Sequence, residues 1–471
     1  MKYHKLENPS IRSLRSVLLI FLVSIFCFGM FLTLDRWEGQ SPSLNFDRNF
    51  TSLGRKSNLI VTVTDEGAGL KQVSIDLKLR NKTINLTNKQ YSSPPIFFKT
   101  KEKNSSESFD LGKIINTFNQ IKEGPASIIV SAKDFSFRRL LGGNKTVIKK
   151  DFTFDFTPPR LEVLSGQHYI RQGGSECILY RVEKDTHLSG VQVGPHFFSG
   201  YSPQLSDKQI RFSIFAYRYD LPLNSKMILV ARDKAGNESR TMFRIKFFPK
   251  KFRHRQIHLN KRFLKKVIPN LTNKNPELLK EKDLIKEFVQ INSKLRDLNH
   301  QTIKKISKQS SERILWTEPF SQLSQSKVES FFADHRTYFY KGITIDHQDH
   351  VGFDLASVKN YPIEASNNGT VRYATNLGIY GKTILIDHGC GLFSLYGHLS
   401  SISVKQEQKV NKGDIIGLSG TTGLAAGDHL HFGLFLQGIP VNPVEWWDRK
   451  WIQEHLWKRI NALEKLNKES S

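Results

Sequence analysis

The chain has 471 residues and 54.1 kDa, room for about three domains at roughly 150 residues each. Its 70 Lys/Arg against 44 Asp/Glu give +26, which excludes an acidic solvating protein and points to an anionic partner. Three cysteines exclude a disulfide-built fold, and with neither C-x-x-C nor paired-thiolate spacing a zinc finger is excluded too.

At the N-terminus, Lys2, Lys5, Arg12 and Arg15 precede a low-polarity run from Val17 to Leu34, closed by Asp35 and Arg36. Eighteen residues at 1.5 Å rise span about 27 Å, the thickness of a bilayer core. The basic flank puts the N-terminus in the cytoplasm and the bulk of the chain outside. We therefore expect a cytoplasmic tail at 1–16 and an uncleaved transmembrane anchor at 17–34. The run outlasts the apolar core of a signal peptide, about 7–15 residues, and bulky Phe26 before Cys27 makes a poor lipoprotein cleavage site. The expected location is the cytoplasmic membrane, single-pass, with the C-terminal bulk on the periplasmic side.

A polar linker, 35–56, leads to β-rich sequence. Leu59 to Thr64 and Val73 to Leu77 are rich in β-branched residues and partly alternating. The pattern then repeats. Ile128-Ile129-Val130-Ser131-Ala132-Lys133-Asp134 is echoed by Ile228-Leu229-Val230-Ala231-Arg232-Asp233, each followed by Gly-Asn (Gly143-Asn144, Gly236-Asn237) and an aromatic strand. The 99-residue offset between Asp134 and Asp233 is the size of one sandwich. Asp233-Lys234-Ala235-Gly236-Asn237 resembles a turn common in bacterial immunoglobulin-like domains. We expect two such β-sandwiches, 57–156 and 157–248, joined at Pro158-Pro159. Too few carboxylates converge in these turns for a calcium shell of six to eight oxygens.

Residues 249–330 read as a basic helical connector. Arg244 to Lys308 hold nineteen Lys/Arg against five Asp/Glu, a net +14 and over half the charge of the chain. Leu284, Phe288, Ile291, Leu295 and Leu298 mark an amphipathic helix after Pro276, and Lys261 to Lys266 a shorter one. Such a run mostly faces water, and contact with an anionic surface is its functional counterpart. Nucleic acid is not an expected partner, because the expected topology puts this region outside the cell.

From Phe331 to Asp448 strands and glycine turns return. Asn367-Asn368-Gly369 predicts a hairpin, and Thr383 to Asp387 with Leu392 to Tyr396 predict another across His388-Gly389-Cys390-Gly391. His429 to Leu436 reads as a strand ending at Gln437-Gly438. The tail, 449–471, places Ile452, Leu456, Ile460 and Leu463 at helical spacing. The expected fold class is mainly β: an N-terminal transmembrane helix, two tandem sandwiches, the helical connector and a C-terminal antiparallel-β domain.

The chemistry-bearing residues gather in that last domain. His350-Val351-Gly352-Phe353-Asp354 offers an imidazole and a carboxylate four apart, Tyr396-Gly397-His398-Leu399 a second imidazole, and His429-Leu430-His431 two more. In a strand, residues i and i+2 share a face, so His429 and His431 enter one site. A catalytic zinc takes three N or O ligands and keeps a fourth position for water. His350, Asp354 and one of His429 and His431 meet that need, and the remaining histidines serve proton transfer, with an ordinary pKa of about 6.5. There is no H-E-x-x-H, hence no helical glutamate base. His335, His347, His388 and His455 read as ordinary surface or core histidines.

The segment 331–448 resembles the lysostaphin/LytM-type zinc endopeptidases, family M23. The resemblance rests on the three histidine motifs, on Gly420-Thr421-Thr422-Gly423, on His431-Phe432-Gly433 and on Val441-Asn442-Pro443, in the family's order. It covers about a quarter of the chain. It implies zinc (Zn2+) ligands His350, Asp354 and His431, catalytic roles for His398 and His429, and the peptide cross-links of peptidoglycan as substrate. Gly433 departs from a frequent Glu, at a position with no metal or proton role. The implied activity is that of a zinc metalloendopeptidase of cell-wall remodelling. The alternative is a catalytically inert LytM-type regulator that activates other wall hydrolases, and the complete set of five side chains favours the enzyme.

Overall fold

The computed structural model describes residues 9–32, 36–92, 105–117, 121–138, 142–202, 208–275 and 283–462. Residues 1–8 of the expected cytoplasmic tail lie outside them, as does Leu463, whereas 9–16 belong to a helix. Helix α1, Pro9–Leu32, covers most of the apolar run. Its side chains are described over 16–31, short of eighteen residues, and among the described residues no helix is long and apolar enough to cross a membrane.

The chain forms two compact units. The N-terminal unit reaches Pro158 and takes in Asp233–Asn237. It holds a five-stranded and a three-stranded sheet. Alternation does the work here: Ile128, Val130 and Ala132 in Gly124–Asp134 are fully buried, as are Val73, Ile75 and Leu77 in Leu70–Leu79. Ser43–Phe46 and Ser52–Leu53, assigned by sequence to the linker, are strands of these sheets, burying Leu44 and Leu53. Strands this short lack a readable period, so only their pairing reveals them.

The repeated Asp…Gly-Asn signal has a structural cause. Asp134 accepts from the Asn144 backbone amide at 2.7 Å and from its side-chain amide at 2.9 Å. Asp233 holds Asn237 in the same way, at 2.9 Å for both bonds. Each buried carboxylate is thus satisfied by closing its own turn.

The second unit comprises Pro159–Arg232 and Glu238–Ser471. Its first part contains a four-stranded sheet, a three-stranded sheet and a parallel pair, His168–Arg171 with Ile245–Phe248. The sequence boundaries at 248 and 330 divide what the structure packs as one core. The connector is not helix alone. Strand β1, His254–Leu259, runs parallel to β2, Asp334–Tyr340, and β2 pairs antiparallel with β3, Ile343–His350. Helices α2 (Lys261–Thr272), α3 (Leu284–Gln290) and α4 (Arg296–Ser307) follow the expected periodicity. The apolar stripe of these helices and of the π-helical turn Ile291–Leu295 that joins α3 to α4, including Leu264, Phe288, Ile291, Leu295 and Ile303, is buried in the shared core. Each such side chain contributes about 2 kcal/mol, so tertiary packing holds the connector against its own charge repulsion.

The large C-terminal sheet places Phe353–Ala356 (β4) beside Leu430–Leu436 (β7), then Leu392–Leu399 (β6), then Lys382–Gly389 (β5). The β5–β6 hairpin turns on Cys390 and Gly391, with φ of 52° and 81°. Both residues in the left-handed region define the mirror-image turn that suits strand twist. Asn367-Asn368-Gly369 does not make the expected hairpin. Pro362–Glu364 before it pairs with Ile415–Leu418, whereas Gly369–Asn376 pairs with β5. The two flanking strands belong to different sheets, a choice made by their distant partners and not by the turn.

The C-terminal segment packs on the second β region. Glu445 accepts from the Ser175 amide at 2.8 Å, and Ile452, Leu456 and Ile460 are buried. Burial pushes the Glu445 carboxyl up to about 7, against the opposing Ser175 bond and His455. Between about 4.5 and 7 the folded group keeps a proton that the unfolded one has lost. Its contribution to stability is therefore complete below about 4.5 and is lost as the pH rises to about 7. The thermal midpoint should fall by about 5 °C from pH 5 to pH 8 on this account, and Glu445→Gln, which keeps an acceptor for Ser175, should flatten that slope. An unchanged slope in thermal melts of the variant would acquit Glu445.

Candidate metal centre

Three strands converge on one point. His350 ends β3, Asp354 lies in β4, and His431 lies in β7 directly opposite Asp354 in register. His350 Nε2 is 2.8 Å from Asp354 Oδ1 and 3.0 Å from His431 Nδ1, which is itself 3.0 Å from Asp354 Oδ1. Three donor atoms thus form a nearly equilateral triangle. Two imidazole nitrogens and one carboxylate oxygen are a zinc-type donor set. All three side chains are largely buried.

The surroundings fix which atom of each ligand faces the site. His350 Nδ1 donates to the Phe331 carbonyl at 2.9 Å, leaving Nε2 bare. Arg336, in β2, donates from Nη2 to Asp354 Oδ2 at 2.8 Å, leaving Oδ1 for the triangle. His431 presents Nδ1, and its Nε2 is buried beside Gly352 with no hydrogen-bond partner among the described residues. A Cβ on Gly352 would stand 2.7 Å from that nitrogen. The glycine in His350-Val351-Gly352-Phe353-Asp354 is thus the clearance for His431.

The other two histidines stand close by. The His398 ring centroid is 4.8 Å from that of His429 and 5.8 Å from that of His431. His398 Nδ1 donates to Thr422 O at 2.8 Å and His429 Nδ1 to Gly427 O at 2.9 Å, so each turns Nε2 inward. His429 Nε2 lies 3.6 Å from Asp354 Oδ1. His429 precedes β7 and is joined to Gly420 by an isolated bridge, so the i, i+2 geometry is reached from the strand's edge. His398 has φ of 64°. The β5–β6 register slips between Lys382 and Ile384, opposite Leu399 and Tyr396, which leaves His398 in a bulge. Bulges of this kind re-aim side chains beside active sites, and here one turns an imidazole that plain alternation would misplace.

Burial favours neutral rings at His350, His398 and His431. Burial, then Arg336, brings His350 down to about 4. Burial, then His429, takes His398 well below its ordinary value, and burial lowers His431. Burial opposes the charged form of His429 as well, but the Asp354 carboxylate outweighs it and raises that group. Burial alone would raise Asp354, yet His350 and the hydrogen bonds of three histidines hold it well below the usual carboxylate range. The centre near neutral pH is one carboxylate with ligand-competent rings.

A pocket of about 210 Å³ opens over the triangle, walled on one side by β1 and the connector helices through Ile257, Leu259, Phe263 and Phe288. His388 Nδ1 donates to Asn368 O at 2.7 Å and its Nε2 lies 2.7 Å from Ser394 Oγ, His335 pairs with Asp349, and His455 with Glu176, all outside the triangle. Arg336 is the residue that motif spacing missed. It lies on a strand with no recognisable motif, and only the β2–β3 register brings it to Asp354. Arg336→Met should leave the fold intact and weaken metal binding about 10–100-fold, as losses of such supporting bonds do. Competition with a chelator measures this, and unchanged affinity would remove Arg336 from the site.

Two neighbouring sheets bring two histidines and one aspartate into a buried triangle, with two more histidines on its rim, an arrangement that could hold a metal ion. Residues 348–443 match Peptidase family M23, and the chain carries a domain of that family. It is 40% identical over 95 residues to the DD-carboxypeptidase/endopeptidase Mpg of Neisseria meningitidis serogroup B, covering 20% of this chain and 22% of that protein. It is 42% identical over 96 residues to the peptidoglycan DD-endopeptidase ShyA of Vibrio cholerae serotype O1, again 20% and 22%. Stage II sporulation protein Q of Bacillus subtilis is 34% identical over 102 residues, 21% of this chain and 36% of that protein. The chain thus spans about a fifth of the length of the first two relatives.

Proposed function

We propose that the chain is a zinc-dependent endopeptidase that hydrolyses peptide cross-links of peptidoglycan. The observation that carries this is the buried triangle of His350, Asp354 and His431 at 2.8–3.0 Å, inside a Peptidase family M23 domain. The two relatives named for DD-endopeptidase activity support the substrate class. His350 Nε2, Asp354 Oδ1 and His431 Nδ1 would hold the ion, which when bound supplies a Lewis acid and an activated water. His398 and His429 aim Nε2 at the same space. Their work is to orient the attacking water, to donate hydrogen bonds to the developing oxyanion, and to deliver a proton to the leaving amine. The low-dielectric pocket wall strengthens each of these interactions.

The apolar run at 17–34 supports a tether in the cytoplasmic membrane, with the two immunoglobulin-like β regions and the catalytic sheet on the wall side. The inert-regulator reading draws on the relative named only as a sporulation protein, but the filled set of five side chains speaks against it. The test is digestion of purified peptidoglycan by the full chain in mild detergent, with mass analysis of the fragments and metal analysis of the protein. Newly freed amine and carboxyl ends at cross-links are the expected result. Metal-loaded protein that leaves the polymer intact would favour the regulator.

A further inference from the structure

A second cavity, of about 750 Å³, opens in the C-terminal unit well away from the triangle. From His431 along β7 to Gln437, just past its end, the chain runs six residues, about 20 Å at 3.3 Å each. Helix α4 lines both places, with Arg296 at the metal pocket and Lys304 at this one. Four cations line the cavity: Lys208 and Arg211 from the second β region, Lys304 and Lys308 from the end of α4. Glu312 is the one carboxylate among the described lining residues.

The end of a helix attracts lysines to its carbonyls, which accounts for Lys304 and Lys308. It does not account for Lys208 and Arg211 across the opening. Among the described residues none of the three lysines is engaged in an ion pair. Arg211 is fixed in the wall, donating from Nη1 to Ser189 Oγ at 2.9 Å and from Nη2 to Thr186 O at 3.1 Å. The cleft is also braced. The Ser199 amide donates to Gln437 Oε1 at 2.9 Å, and Gln437 Nε2 donates to Ser199 O at 3.2 Å. Gly438 sits so close to α4 that a Cβ would lie 2.9 Å from the Lys304 Cα. Like charges held together on a braced frame repel, and a bound anion relieves that repulsion.

We propose that this cleft grips a carboxylate-bearing stretch of the wall polymer, distant from the bond that is cut. The name of the polymer rests on the hydrolase reading above; the anion chemistry rests on the cleft alone. The test compares the full chain in mild detergent with the triple variant Lys208→Gln, Lys304→Gln, Lys308→Gln. A control removes equal charge from the N-terminal unit, through Lys78→Gln, Lys122→Gln and Lys145→Gln. Binding to purified sacculi is read by pelleting across a salt series, and turnover on a short soluble cross-linked muropeptide dimer is read separately.

The cleft variant should bind sacculi about tenfold more weakly, with a shallower salt dependence, while the control binds as the parent does. Sacculi whose carboxylates have been amidated should bind parent and variant alike. Dimer turnover should be the same in all three proteins, because a short dimer does not reach the cleft. Equal loss in the control or an unchanged cleft variant would each overturn the proposal. A parent that binds sacculi through the cleft but never cleaves the dimer would instead count against the hydrolase reading.

Discussion

His431→Ala is expected to abolish both metal binding and wall hydrolysis, with metal content falling from about one ion per chain to near zero. The ring supplies one corner of the triangle, and no neighbour can replace it. His429 Nε2 is already 3.6 Å from Asp354 Oδ1, but its Nδ1 is held by Gly427, so it cannot move in without losing that bond. Loss of His431 also leaves Asp354 with one fewer partner in a buried place, which costs about 1–3 kcal/mol. Circular dichroism must therefore accompany the metal analysis. Asp354→Asn, which keeps the shape and the Arg336 side of the group, is a second variant for the same test. A folded His431→Ala protein that retains stoichiometric zinc and full activity would defeat the ligand assignment.

The second large effect separates chemistry from metal binding. His429→Ala should keep its metal and lose about 10²–10⁴-fold in turnover, the usual worth of a positioned proton-transfer group. The same holds for His398, with a structural proviso. Its φ of 64° is tolerated by asparagine better than by alanine, so His398→Asn is the cleaner variant. Chelator competition measures metal retention, and fragment release from labelled wall measures turnover. If either variant lost zinc in step with activity, that histidine would be a ligand and not a proton carrier.

Much of the site was legible because its motifs are local. His350 and Asp354 sit four apart, and His429 and His431 two apart, so short-range geometry already suggested convergence. Gly352 was visible as part of a motif but not as the clearance for His431 Nε2, since that nitrogen comes from a strand 79 residues further along. Arg336 was illegible for the same reason: its pairing with Asp354 depends on β2 lying across β3 and β4. The bulge at His398 is a property of the β5–β6 register, and no residue in Tyr396-Gly397-His398-Leu399 announces it. The Asn367-Asn368-Gly369 turn shows the reverse error. Its chemistry favours a tight hairpin, but strand partners far along the chain decided otherwise.

Residue type and periodicity by themselves determined the β-rich halves, the amphipathic connector helices, the apolar N-terminal run and the candidates for metal and proton work. These follow from side-chain spacing, which acts over a few residues. Only the tertiary structure decided that the connector shares a core with the C-terminal sheet, that β1 and Phe288 wall the pocket over the triangle, and that four cations meet around a second cleft. Those outcomes depend on long-range burial and strand register, whose energies are summed over partners too distant in sequence to leave a local mark.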